Sequence, residues 1–240
     1  MRTVALIQAR MGSTRLPGKV MLSLDCTPVI RHVVRRAAAA DVVDTVAVAT
    51  TDNRRDDIVE RYASREGADV FRGDTTDVLG RMYGAGNAFD ADTVIRLTAD
   101  NPLCAPAVID TAVKKLQSGG LDYVSNKIDR TFPSGLDVEV FTFDSFSIVE
   151  READDSYDRE HVTPPYRERD EYDVANLRST EVFEDEQLQN RTDLRLTLDR
   201  PDDFELFSRI YDTLPFDDIV DVGDAVRYVD DNDLAEINHQ

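Results

Sequence analysis

Cysteine is scarce in this 240-residue chain, and long apolar runs are missing altogether. Cys26 and Cys104 lack the spacing of a zinc site and cannot build a disulfide framework, so we expect two buried thiols in a reduced, cytoplasmic protein. No apolar stretch is long enough to cross a membrane. Because residues 1–3 lead directly into an apolar stretch, we also expect no signal peptide.

Positive charge is scarce as well. Lysine and arginine together number 28, against 48 aspartates and glutamates, and the formal charge of −20 argues against a nucleic-acid partner. The acidic side chains are spread along the whole chain, which predicts a halophilic protein whose surface repulsion is screened by concentrated salt. An acidic protein of low-salt surroundings is the alternative. The only lysines are Lys19, Lys114, Lys115 and Lys127.

The first half of the chain alternates between strand and helix patterns. Strands are predicted at Val4–Gln8, Thr45–Thr50, Asp69–Arg72 and Thr93–Thr98. Helices are predicted between and after them, at Pro28–Ala40, 53–66, Thr75–Phe89 and Pro106–Gln117. Helices of this length between strands favour an α/β fold with a doubly wound, mostly parallel, Rossmann-like sheet.

The second half is less regular. Further strands are predicted at Asp122–Asn126, Leu136–Phe143, Val174–Ser179 and Leu194–Leu198. Further helices are predicted at Ser145–Glu152, Pro201–Leu214 and Ile219–Val229. Because the chain contains no flexible linker and no internal repeat, we predict a single domain over residues 1–240, with a small inserted lobe at about 121–190 that carries the second substrate or a dimer contact.

A cationic, glycine-containing loop follows the first predicted strand. Arg10, Arg15 and Lys19 bring positive charge, and Gly12 and Gly18 let backbone N–H groups approach an anion. The loop has neither the P-loop nor the dinucleotide-binding glycine pattern. At the carboxyl end of a strand it still predicts a polyphosphate site. The alternative is an ordinary surface loop with solvated arginines.

Two aspartates stand where predicted strands end. Asp100 precedes Asn101-Pro102, and Asp199 precedes Arg200-Pro201. Mg²⁺ prefers one or two carboxylates together with phosphate oxygens and water, so the two aspartates predict one metal site between them. The alternatives are a turn-forming Asp100 and an Asp199 that caps the following helix.

These segments, in this order, resemble the cytidylyltransferase family that makes CMP-activated sugars, which includes the CMP-Kdo and CMP-sialic acid synthetases. Ala9–Lys19 resembles the family's nucleotide loop, Ala99–Leu103 its metal-binding strand end, and Leu198–Phe204 its late aspartate segment. Phe132–Val140 and Arg159–Pro164 are similar to stretches of the spore coat polysaccharide biosynthesis branch. The resemblance extends over nearly the whole chain.

The resemblance implies a nucleotidyltransferase fold and the transfer of CMP from CTP to a sugar or sugar-acid acceptor, with release of pyrophosphate. Arg10, Arg15 and Lys19 would bind the triphosphate, and Asp100 and Asp199 would hold Mg²⁺. Arg10, Lys19, Asp100 and Asp199 would together be the catalytic residues. The family also leads us to expect a homodimer.

Further nucleotide contacts are predicted at Ala9, Gly12, Ser13, Thr51 and Arg81. Thr51 follows a strand, but the neighbouring Asp52 also suits a helix cap. Arg81 lies in a segment that resembles one closing over the nucleotide in the spore-coat branch, and a solvated helix arginine is the alternative.

Acceptor contacts are predicted at Asp137, Glu139, Glu160 and His161. Asp137 and Glu139 alternate with apolar residues, which is typical of a half-exposed strand, and we expect Asp137 to bind a sugar hydroxyl. His161 lies in a polar segment and is expected at the sugar or at a dimer contact.

Two other functions stay open from the sequence. A glycosyltransferase shares the nucleotide-binding sheet and a metal-bound aspartate, but its site normally reads Asp-x-Asp, which Asp100-Asn101-Pro102 does not match. A non-catalytic nucleotide-binding protein is the other alternative.

Overall fold

Strand β1 (Thr3–Gln8) is an interior strand of the sheet and is apolar on both faces. In the computed structural model, which describes residues 1–238, Val4 and Leu6 pack into one apolar cluster and Ile7 packs into the other. Helices cover both faces of the sheet, so both faces of β1 are buried and its sequence is a continuous apolar run instead of an alternating one.

The central sheet has seven strands, in the order β5-β4-β1-β6-β8-β7-β9. All of them run in the same direction except β8, which pairs antiparallel with both of its neighbours. The bounds after β1 are β4 Thr45–Thr51, β5 Asp69–Gly73, β6 Thr93–Thr98, β7 Tyr123–Ser125, β8 Glu139–Thr142 and β9 Val174–Asn176. A separate two-stranded hairpin is formed by β2 Ser23–Leu24 and β3 Thr27–Pro28. The predicted doubly wound, mostly parallel α/β fold is confirmed.

The helices divide between the two faces of the sheet. One apolar cluster is covered by α1 Val29–Ala38, α2 Asp57–Arg65, α4 Pro106–Gly119, α8 Pro201–Thr213 and α9 Val222–Asp231. The other is covered by α3 Val78–Ala88, α5 Phe143–Glu152 and α7 Pro164–Glu168, and α6 Ser156–His161 is held against the start of α3. No helix among residues 1–238 is both long and apolar enough to span a membrane.

Strands β1 and β6 end side by side, and this places the two main sequence motifs together. Gln8 lies opposite Thr98 in the parallel register. The backbone N–H of Ala99 then donates to the carbonyl of Gln8 at 3.0 Å. The cationic loop after β1 and the Asp100 turn after β6 therefore leave the sheet at the same edge, as the carboxyl ends of parallel strands must.

The strand predicted at Leu194–Leu198 is wrong. This segment is extended, but it forms one isolated bridge, between Arg195 and Ser134, and its Leu198 N–H donates to the carbonyl of Asp100 at 2.7 Å. Gly135 lies against it with a φ of +106°, and a Cβ there would stand 1.7 Å from the Leu196 carbonyl oxygen. Single contacts to two distant segments do not make a ladder, although they hold Asp199 beside Asp100.

The charge-rich stretch after α5 contains two helices that the sequence pattern does not predict. Asp155 caps α6 by accepting from the N–H of Asp158, and two prolines begin α7. Tyr166 of α7 is buried and stacks on Tyr123 of β7, with ring centroids 4.8 Å apart. Strands β7, β8 and β9 of the segment predicted as an inserted lobe all join the central sheet.

Candidate active site

A cavity of about 460 Å³ lies at the carboxyl ends of β1 and β6. Its lining includes most of the predicted site residues: Arg10, Gly12, Ser13, Arg15, Lys19, Asp100, Glu160, His161 and Asp199. Ala9 is buried directly beneath the loop, where its N–H donates to the Ala49 carbonyl at 3.3 Å. The nucleotide loop, both strand-end aspartates and part of the predicted acceptor site therefore meet in one place.

Lys19 joins the two strand-end aspartates. Its Nζ lies 2.7 Å from Asp100 Oδ2 and 2.9 Å from Asp199 Oδ1, and its side chain is only 13% exposed. Gly18, at a φ of +71°, turns the loop into the short 3₁₀ helix that begins at Lys19. One ammonium thus lies between two carboxylates that are brought from opposite ends of the chain.

Asp199 has further cationic neighbours. Arg15 Nη2 lies 2.5 Å from Asp199 Oδ2, and Arg195 Nη2 lies 3.9 Å from the same oxygen. Partial burial alone would raise the pKa of Asp199, but the hydrogen bonds and charges of Lys19 and Arg15 outweigh burial and hold this pKa below its ordinary value. Asp199 is therefore ionised at neutral pH. Asp203, and not Asp199, caps helix α8, by accepting from the N–H groups of Asp199 and Arg200.

The cationic loop is held from below by Asp56, a residue that the sequence does not single out. Asp56 is fully buried, accepts from the N–H of Met11 at 2.7 Å and accepts a hydrogen bond from the Thr51 hydroxyl. Thr51 therefore supports the loop through Asp56 and does not line the cavity. Nothing in the acid-rich sequence around Asp56 distinguishes it from the exposed aspartates beside it.

Arg81 is buried, so the alternative of a solvated helix arginine is wrong. Only 2% of its surface is exposed, and its Nη1 donates to the Asp74 carbonyl. Its Nε and Nη2 have no hydrogen-bond partner among residues 1–238. Burial lowers the pKa of this guanidinium. Arg10 contacts the same turn, since its Nη1 donates to the carbonyl of Thr75, the residue after Asp74, at 3.5 Å.

Glu139 is buried, which corrects the predicted half-exposed strand. Its carboxylate accepts from Arg96, from the Tyr123 hydroxyl at 2.7 Å and from the Thr163 hydroxyl at 2.6 Å. Burial would raise the pKa of Glu139, but Arg96 and Lys127 together with the two hydroxyls lower it to about 2. The carboxylate is fully satisfied inside the protein and does not line the cavity.

Asp137 also points elsewhere. It forms a two-pronged ion pair with Arg130, with the Nη1–Oδ1 distance at 2.7 Å, and it does not line the cavity. The half-exposed environment predicted from the alternation is therefore wrong for Glu139, whereas Asp137, which precedes β8, is half-buried.

Glu160 and His161 end helix α6 at the cavity wall. The helix is tied to α3 by Arg159, whose Nε donates to Asp77 Oδ1 at 2.8 Å. Val162 follows with a φ of +74°, in a tight turn closed by the Thr163 N–H to the His161 carbonyl at 2.9 Å. A β-branched residue rarely adopts this backbone conformation, and such strain tends to occur at functional sites.

A comparison with known families decides the class of the protein. The family model described as cytidylyltransferase matches residues 4–223. The chain belongs to the cytidylyltransferase family. It is therefore a nucleotidyltransferase, and the predicted resemblance is confirmed.

Two curated relatives and one solved structure illustrate the match. The spore coat polysaccharide biosynthesis protein SpsF of Bacillus subtilis is 34% identical over 213 residues, covering 86% of this chain and 85% of that protein. The 3-deoxy-manno-octulosonate cytidylyltransferase of Pelobacter propionicus is 34% identical over 116 residues, covering 48% and 45%. A solved cytidylyltransferase structure from Leptospira borgpetersenii is 28% identical with a TM-score of 0.90, covering 100% of this chain and 98% of that one.

Two carboxylates of the site, Asp100 and Asp199, are the residues that could contribute to a metal site. Within residues 1–238 no group of three or more acidic, histidine or cysteine side chains is placed to hold a metal unaided. Asp100 and Asp199, however, are close enough to share one ammonium. Two carboxylates that leave the other positions to phosphate oxygens and water fit the preference of Mg²⁺.

Proposed function

We propose that this cytidylyltransferase transfers CMP from CTP to a sugar or a sugar acid and releases pyrophosphate, in the synthesis of a surface polysaccharide or glycan. The observation that carries the proposal is the position of Lys19 between Asp100 and Asp199 in the cavity. The names of the SpsF and 3-deoxy-manno-octulosonate relatives support the chemical class of the acceptor.

The cationic loop would bind the triphosphate. Arg10, Arg15 and Lys19 line the cavity, where they can neutralise the negative charge that grows on pyrophosphate as it departs. An acceptor oxygen attacks the α-phosphorus in line with that leaving group, so the chain needs no nucleophile of its own. A well-placed donor to developing charge typically contributes about 10²–10³-fold in kcat.

Asp100 and Asp199 would hold Mg²⁺. When bound, the ion would polarise phosphate oxygens and offset their charge. Lys19 contacts both carboxylates, so a cation that binds there competes with the ammonium. An ammonium displaced from the two aspartates is left beside the cationic loop, where phosphate oxygens can accept its hydrogen bonds.

The acceptor would bind on the wall formed by Glu160 and His161 of α6. Asp137 and Glu139, by contrast, are already paired with Arg130 and Arg96. We further propose, on the family resemblance, that the protein is a cytoplasmic homodimer. Size-exclusion chromatography with light scattering tests the dimer, and a monomer at micromolar concentration would contradict it.

The test of the function measures pyrophosphate release in concentrated KCl with CTP, MgCl₂ and a panel of neutral sugars and sugar acids. We expect release with at least one acceptor, and loss of about 10²–10³-fold in kcat for Asp100→Ala and Asp199→Ala. Asp202→Ala is the matched control, because Asp202 is exposed on the first turn of α8 and lies outside the cavity.

Other outcomes of the same test would contradict the proposal. No pyrophosphate with any acceptor, together with no CTP binding by calorimetry, would refute the function. Release of a nucleoside diphosphate from a nucleotide sugar would identify a glycosyltransferase. CTP binding without turnover across the whole panel would favour a non-catalytic nucleotide-binding protein. Full activity of either aspartate variant would refute its assignment as a metal ligand.

A further inference from the structure

Arg55 lies against the nucleotide loop, although it comes from the next strand–helix connection. It belongs to the short 3₁₀ helix Arg54–Asp56 that follows β4. Asn53 caps this helix by accepting from the Arg55 N–H at 3.1 Å. The next residue, Asp56, is buried and accepts from the N–H of Met11 in the loop. The backbone that carries Arg55 is therefore fixed to the loop.

The guanidinium of Arg55 occupies the space that a side chain at position 12 would need. A Cβ built on Gly12 would lie 2.7 Å from Arg55 Nη2 and 3.2 Å from Arg55 Cζ. Gly12 does not have a positive φ, so its backbone conformation does not require glycine. A side chain at position 12 would instead displace the Arg55 guanidinium, which is the end of a flexible side chain, from its place against the loop.

Arg55 is also a cation without an anion. No carboxylate among residues 1–238 lies within 4.0 Å of its guanidinium, and its side chain donates no hydrogen bond there. Arg15, on the same loop, is by contrast already paired with Asp199. Arg55 is exposed and does not itself line the cavity, but its guanidinium lies against Gly12, which does, so its donors are free to meet an anion bound at the loop.

We propose that Arg55 binds the polyphosphate part of the nucleotide across Gly12, as a fourth cation of the triphosphate site. This inference rests on the proposed use of CTP. It assigns to Gly12 a second purpose besides close approach of the loop backbone to phosphate, because the glycine makes room for a guanidinium from outside the loop. Arginine suits this position, since its planar fork can offer two parallel donors to phosphate oxygens.

The test compares Arg55→Ala with Arg54→Ala by calorimetry, with CTP, CMP and inorganic triphosphate as titrants in the presence of MgCl₂. Arg54 is the matched control because it is adjacent, exposed and equally without an acidic partner. We expect Arg55→Ala to raise the Kd for CTP and for triphosphate by about five- to tenfold, because one charge-assisted contact is lost. The Kd of Arg55→Ala for CMP should change by less than about twofold. The Kd values of Arg54→Ala for all three titrants should also change by less than about twofold.

A second variant tests whether Arg55 needs the space beside Gly12 in order to bind phosphate. Gly12→Ala should weaken triphosphate binding in the wild-type background and should add little to Arg55→Ala, because both changes remove the same guanidinium. The proposal is overturned if Arg55→Ala binds triphosphate as tightly as Arg54→Ala does, or if CMP is weakened as much as CTP. Failure of the wild-type protein to bind CTP would overturn the proposed function together with the role of Arg55. Normal CTP binding by both the wild type and Arg55→Ala would overturn only the role of Arg55, so the two failures can be told apart.

Discussion

Two clusters in this protein join carboxylates to cations, and they differ in how completely each carboxylate is satisfied. Glu139 lies in the interior with Arg96, Tyr123 and Thr163 on its oxygens. Asp100 and Asp199 lie at the cavity and share the ammonium of Lys19, and Asp199 also pairs with Arg15. The Glu139 side chain is 5% exposed, whereas that of Asp100 is 27% exposed.

The difference separates a structural role from a functional one. A buried charge is tolerated only when its partners are complete, so removal of one partner of the Glu139 cluster should cost stability. The cavity cluster is more open to solvent, and its two carboxylates already contact Lys19, Arg15 and Arg195, so a metal ion that binds there must compete with these cations. Changes there should cost activity with a smaller effect on stability.

The largest effect is expected from Glu139→Gln. The amide leaves the Arg96 guanidinium buried without its counter-charge, and the free energy of unfolding should fall by about 3–5 kcal/mol. Chemical denaturation at pH 7 measures this. Asp137→Asn is the control, since Asp137 lies two residues before Glu139 in the chain and forms a more exposed ion pair, with Arg130, whose loss should cost about 1 kcal/mol or less. Equal losses in the two variants would contradict the comparison.

The same cluster predicts a pH dependence. The pKa of Glu139 lies below its ordinary value of 4.5, at about 2 in the folded protein. The unfolded chain therefore takes up this proton first, so the stability from Glu139 is fully present above about pH 4.5 and is lost as the pH falls from there toward 2. Glu139→Gln should show a shallower loss of stability over that range. An identical acid profile in the wild type and the variant would show that Glu139 is not the group that titrates.

A nearly as large effect, but on activity, is expected from Lys19→Met. Loss of the ammonium should lower kcat by about 10²–10³-fold. The same change should tighten Mn²⁺ binding in the absence of nucleotide, because the competitor between the two aspartates is gone; a Mn²⁺ titration followed by electron paramagnetic resonance measures it. Lys115→Met is the control, since Lys115 pairs with Glu181 away from the cavity. Weaker Mn²⁺ binding by Lys19→Met would contradict competition between the ammonium and the metal.

Concentrated salt should produce the smallest of these effects. It should stabilise the fold but weaken CTP binding in the cavity. Molar KCl should raise Tm, because it screens the self-repulsion of a chain with charge −20, and it should weaken CTP binding by screening the cationic loop. The Tm difference between the wild type and Glu139→Gln should stay constant, since a buried cluster is screened little. A Tm in dilute buffer equal to that in molar KCl would refute the halophilic prediction.

The sheet could be predicted well from the sequence because each central strand is an apolar run bounded by turn residues. The wrong or missing predictions concern segments whose structure depends on tertiary contacts with distant parts of the chain. Leu194–Leu198 looks like a strand but finds only single contacts, to Ser134 and to Asp100. Helices α6 and α7 were missed because short, charged helices are held by tertiary contacts, such as Arg159 with Asp77, and not by a periodic apolar face.

The site could be predicted in part for the same reason. The loop after β1 and Asp100 are at strand ends, and the ends of parallel strands meet. The environment of Glu139 could not be predicted, because alternation gives the period of a strand but not which face is covered. Asp56 and Arg55 carry no local signal either, since their importance arises only when the β4–α2 connection folds against the nucleotide loop.

Strand β8 lies between β6 and β7 in the sheet, although it follows both of them in the chain. A growing chain can pair β5, β4, β1 and β6 as soon as β6 has emerged, but β7 has no partner until β8 inserts between the two. Until then β6 presents an open edge, to which other chains can pair. The bond from Lys19 to Asp199 spans 180 residues, so it closes later still. The cavity should therefore become able to bind its nucleotide only at the end of folding.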